Sequence, residues 1–325
     1  MTIRVGVALR GSGLTDINLR LAKQAGFDEV VGRPCPGGKD SVLWDYMTTL
    51  HLMNRIKNAD LQWTVSESLR IPDIVKLGLP GRDKSIKDLC TSIRSLGAVG
   101  VSTVVYTWSA MFGWTRTSHS TRVRGNALAT SYDHALMQKA QLTSAGIVSE
   151  EQLWQSLEYF LKAVLPVAEE AGVKLAMHPD DPPLSPIRGV GRIMRSPESF
   201  DRLLDLVPSP NSGITFCQGC FAEMGVDIPN MIQHFTRRGK IFHVHFRNLT
   251  GTAEKFTEQF HDDGEVDMYA VMKAFYDNGY HGTLRPDHAP IMAGEENSTP
   301  GYAIFGKIFA LGYIRGLMTA IEKNL

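Results

Sequence analysis

Arg285-Pro286-Asp287-His288 sets a carboxylate beside an imidazole where an apolar run gives way to a polar loop. Adjacent residues at a strand end point in different directions, so one can bind a metal while the other moves a proton. Three earlier apolar runs end on matching groups: KLAMH on His178, ITFC on Cys217 and IFHVH on His245. Taken singly, each is more often an ordinary residue than a ligand. At equivalent positions on successive strands, two imidazoles, a thiolate and a carboxylate can converge on one divalent cation. Their two negative charges would roughly neutralise it. An anionic substrate then needs further positive charge, for which Arg285, Arg247 and Arg116 are candidates. His243 shares a face with His245 but lies a layer deeper, and is expected to be a core histidine. Ser66-Glu67-Ser68 adds the carboxylate of Glu67 at another strand end.

The elements that must position these groups alternate along the chain. Short apolar runs at Val5–Leu9, Glu29–Val31, Gln62–Val65, Ser102–Trp108, Lys174–Met177, Gly213–Phe216, Ile241–Phe246 and Thr283–Arg285 read as strands. Amphipathic stretches separate them: Ile17–Gln24, Ser41–Ile56, Asp83–Leu96, Glu151–Glu170, Pro197–Leu206, Asp227–Arg237 and Met268–Asn278. A long apolar helix, Tyr302–Lys323, follows the last run. Glycine stops such as AGVKLAMH and RGKIFHVH mark helices turning back into strands. The fold class is therefore α/β, a single (β/α)8 TIM barrel spanning 1–325. A doubly wound sheet is the main alternative, but no glycine-rich dinucleotide loop follows the first strand. After the fourth strand comes a long insertion, 109–149, expected to be a lid or contact arm. Its GWTRT segment (Gly113–Thr117) carries Trp114 and Arg116, and with Trp108 and Phe112 it reads as a folded flap.

Composition excludes other classes. Lys plus Arg and Asp plus Glu are 34 each, and no basic stripe with interleaved aromatics is present, so no nucleic-acid partner is expected. The N-terminus is too short and polar for a signal peptide, and no apolar run is expected to span a membrane, which leaves the cytoplasm as the expected compartment. Cys35, Cys90, Cys217 and Cys220 are too few for a disulfide framework. Cys217 and Cys220 form a CxxC, but without a second CxxC or a thioredoxin-like N-terminal context. A homo-oligomer is compatible with the sequence, which does not fix oligomeric state.

Longer strings carry a family resemblance. MHPDDPP (Met177–Pro183), FCQG (Phe216–Gly219), HFRN (His245–Asn248), FHDDGEVDMYA (Phe260–Ala270), RPDH (Arg285–His288) and GYAIFGKIFALGYIRGL (Gly301–Leu317) resemble the D-mannonate dehydratases of the xylose-isomerase-like barrel type. KLGLPGRDK (Lys76–Lys84) and GWTRT extend the match into the first half. The resemblance implies a manganese-type site from His178, Cys217, His245 and Asp287, with His288 and Tyr302 as the acid–base pair. Ligand softness alone leaves zinc or iron as open as manganese, and magnesium is not excluded. Glu67, Trp114, Arg116, Arg247 and Arg285 are the expected substrate wall. The implied reaction removes water from D-mannonate to give 2-dehydro-3-deoxy-D-gluconate. Competing readings are a metal-dependent isomerase, epimerase or other lyase on a related sugar acid, and a non-catalytic sugar-acid-binding paralogue. The chain departs from the family strings in its first two strands, in VYTWSA for CYNFMP, in Gly113 where an acidic residue is usual, and in FCQGC for FCQGT.

Overall fold

The computed structural model describes residues 3–9, 11–34 and 43–324. Cys35 and the start of the stretch expected at Ser41–Ile56 lie outside the described residues; the helix there runs Tyr46–Lys57. Twelve strands occur among the described residues: β1 (Arg4–Ala8), β2 (Glu29–Val31), β3 (Val65–Leu69), β4 (Thr103–Tyr106), β5 (Ser118–Arg122), β6 (Leu128–Asp133), β7 (Lys174–Met177), β8 (Ser212–Cys217), β9 (Ile241–Phe246), β10 (Asn248–Thr252), β11 (Lys255–Gln259) and β12 (Thr283–Pro286).

Eight of them form one parallel sheet in the order β2-β1-β12-β9-β8-β7-β4-β3. Parallel bridges Glu29 to Gln62 and Gly32 to Ser66 link its two edges, so the sheet is a nearly closed barrel. Each barrel strand is buried on both sides, which explains why the runs are apolar almost without alternation. Inside the barrel, Val31, Val65, Val105, Ala176 and Phe242 pack together. Phe242 lies over Gly213, where a Cβ would approach its ring to 2.3 Å, so only glycine fits. A much larger apolar layer lies between the barrel and its surrounding helices.

One strand expectation needs correction. Gln62–Val65 falls short of β3, and Gln62 makes only an isolated bridge. Within the insertion, β5 and β6 form an antiparallel hairpin. β6 in turn pairs with β11, whose hairpin with β10 follows barrel strand β9. This four-stranded sheet, β10-β11-β6-β5, was absent from the sequence reading.

The closing helix Ile304–Glu322 is long and apolar enough, by length and composition, to cross a membrane, which corrects the expectation that no such run exists. Here its Ala310, Leu311, Ile314, Met318 and Ile321 are buried, and it packs on the helices Asp16–Ala25 and Met268–Asp277.

Candidate active site

The barrel's register brings the strand-end groups together. Cys217 at the end of β8 pairs with His245 on β9, and His245 pairs with Arg285 on β12. His178 follows the last residue of β7, and Asp287 follows the last residue of β12. His178 Nε2 lies 3.0 Å from His245 Nδ1. Asp287 Oδ2 lies 3.7 Å from His245 Nδ1 and 3.7 Å from Cys217 Sγ. Cys217, His245 and Asp287 are essentially sealed from solvent.

The chemistry of these donors fits a cation. His178 Nδ1–H donates to the Pro179 carbonyl at 2.7 Å, leaving Nε2 to face the cluster. His245 Nε2 lies 3.2 Å from Glu67 Oε2, so its Nδ1 is the nitrogen left for the cluster. The Pro179 carbonyl thus orients the His178 ring, and the two imidazoles present facing nitrogens, His245 Nδ1 also lying 3.3 Å from Arg285 Nη2, to which a metal could bind. Burial would lower the basicity of His178, but the Cys217 sulfur, Asp287 and Glu67 outweigh it and push its pKa up to about 9. Burial would likewise raise the Cys217 thiol. Its hydrogen bond with Cys220, the Arg247 charge and the two imidazoles instead hold it well below the usual thiol range. Asp287 is also held low against the effect of burial, by His288, Arg285, His245 and Arg247. The pocket is built for positive charge among thiolate, carboxylate and imidazole.

His288 occupies the edge of this cluster. Its Nδ1–H donates to Glu258 Oε1 at 2.6 Å, and its Nε2 lies 3.0 Å from the Tyr302 hydroxyl. The proton that can be exchanged with the cavity is therefore carried at Nε2. Gly301, at φ 77°, turns the chain back so that Tyr302 faces the ring; a Cβ there would come within 3.1 Å of His288 Cβ. Trp114 covers the pair from the insertion, its ring centroid 5.2 Å from that of His288. Trp114, His288 and Tyr302, with Glu67, His178, His245, Arg285 and Asp287, line a cavity of about 600 Å³.

Of the three arginines expected to meet an anionic substrate, Arg285 lines the cavity, and all three are paired with buried carboxylates. Arg285 clamps Glu67 through two bonds, of 2.7 and 2.8 Å, and reaches Asp287 Oδ1 at 2.9 Å. Arg116 holds Asp181 through both terminal nitrogens, at 2.5 and 3.0 Å, and Glu258 at 2.5 Å. Arg247 bonds Asp181 at 3.1 Å and Glu223 at 2.8 Å, and its Nε lies 3.2 Å from Asp287 Oδ2. Neither Arg116 nor Arg247 lines the cavity. Their charge is consumed in neutralising buried carboxylates, an arrangement in which each partner would be costly to leave alone. Gly219 permits it: a Cβ there would meet the Arg247 guanidinium at 2.4 Å.

His243 is a buried neighbour whose Nδ1–H donates to the Thr283 carbonyl at 2.8 Å. Burial and the adjacent His245 hold its pKa well below the usual histidine value. Sequence reasoning missed Glu258, Asp181 and Glu223. For Glu258 a signal existed: in FTEQF, residues Phe256, Glu258 and Phe260 alternate on one buried face, so the carboxylate stands where an apolar residue is expected.

A parallel α/β barrel with converging ligand groups and a histidine–tyrosine pair at its C-terminal mouth is the arrangement of a metal-dependent barrel enzyme. Comparison with known proteins narrows the class. The family model described as D-mannonate dehydratase (UxuA) matches residues 4–145 and 138–325. Mannonate dehydratase of Thermotoga maritima is 37% identical over 316 residues, covering 86% of this chain and 87% of the relative. Mannonate dehydratase 2 of Halalkalibacterium halodurans is 35% identical over 308 residues, covering 86% and 89%. The crystal structure of mannonate dehydratase from Streptococcus suis serotype 2 superposes with a TM-score of 0.93 at 32% identity, covering 100% of this chain and 96% of that one. A D-tagatose 3-epimerase-like protein, at 13% identity and a TM-score of 0.65, shares the fold. The chain belongs to the D-mannonate dehydratase family.

Proposed function

We propose that the protein is a hydro-lyase that removes water from D-mannonate to give 2-dehydro-3-deoxy-D-gluconate. The observation that carries this reading is the 3.0 Å contact between His288 Nε2 and the Tyr302 hydroxyl beside the ligand cluster, in a chain of this family. His178, Cys217, His245 and Asp287 would hold a divalent metal, taken as manganese from the family resemblance. When bound, the metal supplies Lewis-acid stabilisation of the negative charge that develops as the C2 proton leaves.

His288 and Tyr302 divide the two proton movements. One takes the proton from C2; the other protonates the C3 hydroxyl, which leaves as water, and the enol tautomerises to the 2-keto acid. Glu258 fixes the His288 ring so that Nε2 faces the substrate. Glu67, clamped by Arg285, places its negative charge 3.2 Å from the outer nitrogen of His245. Trp114 and the rest of 109–149 form a lid that keeps water from the enol, a role supported by the position of its ring over His288.

A screen of aldonic and uronic acids with added manganese, reading 2-keto-3-deoxy acid formation, tests the proposal. Formation of that product from D-mannonate supports it. Deuterium entry at C2 without loss of water, on every acid tried, would instead point to an isomerase or epimerase.

A further inference from the structure

Arg116 and Arg247, which do not line the cavity, are tied to buried carboxylates, and Arg285, which lines it, is tied to Glu67 and Asp287. The cavity wall carries another cation deep in its surface. Lys76 ends the one-turn helix Asp73–Lys76 that follows β3, and it is 7% exposed. Its Nζ donates to the Ser109 carbonyl at 2.7 Å, its one hydrogen bond to the described residues. It forms no ion pair with any described residue.

The nearby acids are engaged elsewhere. Asp73 accepts from the Met111 backbone N–H at 2.8 Å. Asp180 accepts from the Ser109 hydroxyl at 2.5 Å, Arg192 at 3.0 Å and the Met194 N–H at 2.9 Å. An ammonium held from water without a counter-ion is a cost that folds retain mainly where a ligand recoups it.

We infer that the Lys76 ammonium, positioned by the Ser109 carbonyl, receives the carboxylate of the sugar acid and makes the site selective for acids over neutral sugars. The inference rests on the sugar-acid reading above and extends it. The groups facing Lys76 are Asp73 on its own helix, Arg70 after β3, and Asp180 and Arg192 from the segment after β7. Burial lowers the Lys76 pKa to about 8; the charges of Arg192 and Arg70 add to this, and Asp73 and Asp180 oppose it. The ammonium is thus present at neutral pH and lost as pH rises through about 8.

The test uses the manganese-loaded protein, D-mannonate as substrate and uncharged D-mannitol as competing ligand. Lys76→Met is expected to raise KM for D-mannonate by about tenfold or more, with a smaller change in kcat and little change in mannitol binding. Lys76→Arg should restore most of the aldonate affinity. In the unsubstituted protein KM should rise above pH about 8, and Lys76→Arg should remove that limb. An unchanged preference for mannonate over mannitol in a folded Lys76→Met variant would overturn the inference. If that variant does not fold, an identical alkaline KM limb in Lys76→Arg would do so. A purely structural lysine would move kcat, melting temperature and both ligands together, which also counts against it. If the unsubstituted protein dehydrates no aldonate, the proposed function fails, and calorimetric binding of mannonate against mannitol still judges Lys76 separately.

Discussion

A single carboxylate oxygen, Glu258 Oε1, accepts both the Nδ1 proton of His288, at 2.6 Å, and an N–H of Arg116, at 2.5 Å. His288 is therefore oriented from behind by a carboxylate whose charge is already compensated. Burial would raise the Glu258 pKa, but His288 and Arg116 hold it well below the carboxylate range. Glu258→Gln should keep the metal and change KM little while lowering kcat by about 10–100-fold, the usual scale for outer-shell partners. Steady-state kinetics with metal analysis checks this, and unaltered kcat would remove Glu258 from the machinery.

The ligand set is tested by metal content. Cys217→Ser or His245→Ala should lose bound metal and turnover while circular dichroism stays that of a folded barrel. Cys220→Ser should lose less, because Cys220 lies three residues beyond Cys217 and its sulfur accepts from Arg247 at 3.5 Å. Full occupancy in both of the first two variants would sink the four-ligand model.

For the proton carriers, His288→Asn and Tyr302→Phe should each retain metal and substrate affinity and lose about 10²–10⁴ in kcat. One variant should still exchange the C2 proton with deuterium oxide without releasing water, which identifies the other residue as the base. Turnover near the unsubstituted level in Tyr302→Phe would exclude the tyrosine.

Substrate choice is tested at Gly113, which lines the cavity and where a Cβ would meet nothing within 4 Å. D-mannonate should be turned over, and an aldonic acid differing at C4, C5 or C6 should be turned over as well or better. Gly113→Asp, which restores the acidic residue usual in the family, should fold without strain and shift the preference toward mannonate. A stereochemical panel decides: mannonate best by a wide margin in the unsubstituted protein would make the Gly113 departure neutral.

Acid should destabilise the fold through His261. Its Nε2–H donates to the Phe246 carbonyl at 2.8 Å, and burial lowers its pKa to about 4. Between the ordinary histidine value and about 4 the unfolded chain binds more protons than the folded one, so stability falls as pH drops through that window. A shift of this size corresponds to a loss on the order of 3 kcal/mol. Urea unfolding at pH 7 and pH 4.5 should show a smaller acid loss in His261→Gln; equal losses would refute the assignment.

The barrel was legible because buried parallel strands are apolar throughout: Glu29–Val31, Lys174–Met177 and Ile241–Phe246 have the bounds the sequence suggests. β3 was less so, since VSESL turns Glu67 toward the mouth, where Arg285 compensates it. The cluster was legible from strand-end chemistry, because parallel register places the ends of neighbouring strands at one level. The ion-pair partners of Arg116 and Arg247 were not legible, because these carboxylates come from distant segments: Asp181, Glu223 and Glu258. The four-stranded sheet escaped for a related reason. SHSTR and KFTEQ are polar segments that become strands only through pairing across the chain.

That pairing limits how this enzyme can be remodelled. β6 comes from the insertion after β4, and β11 from the hairpin after β9, and His288 meets Trp114 of the insertion as well as Glu258 of β11. A loop transplanted from a relative at one of these places would arrive without its antiparallel complement. New specificities on this scaffold should therefore be inherited as matched pairs of loops, with co-variation between two stretches of sequence far apart in the chain.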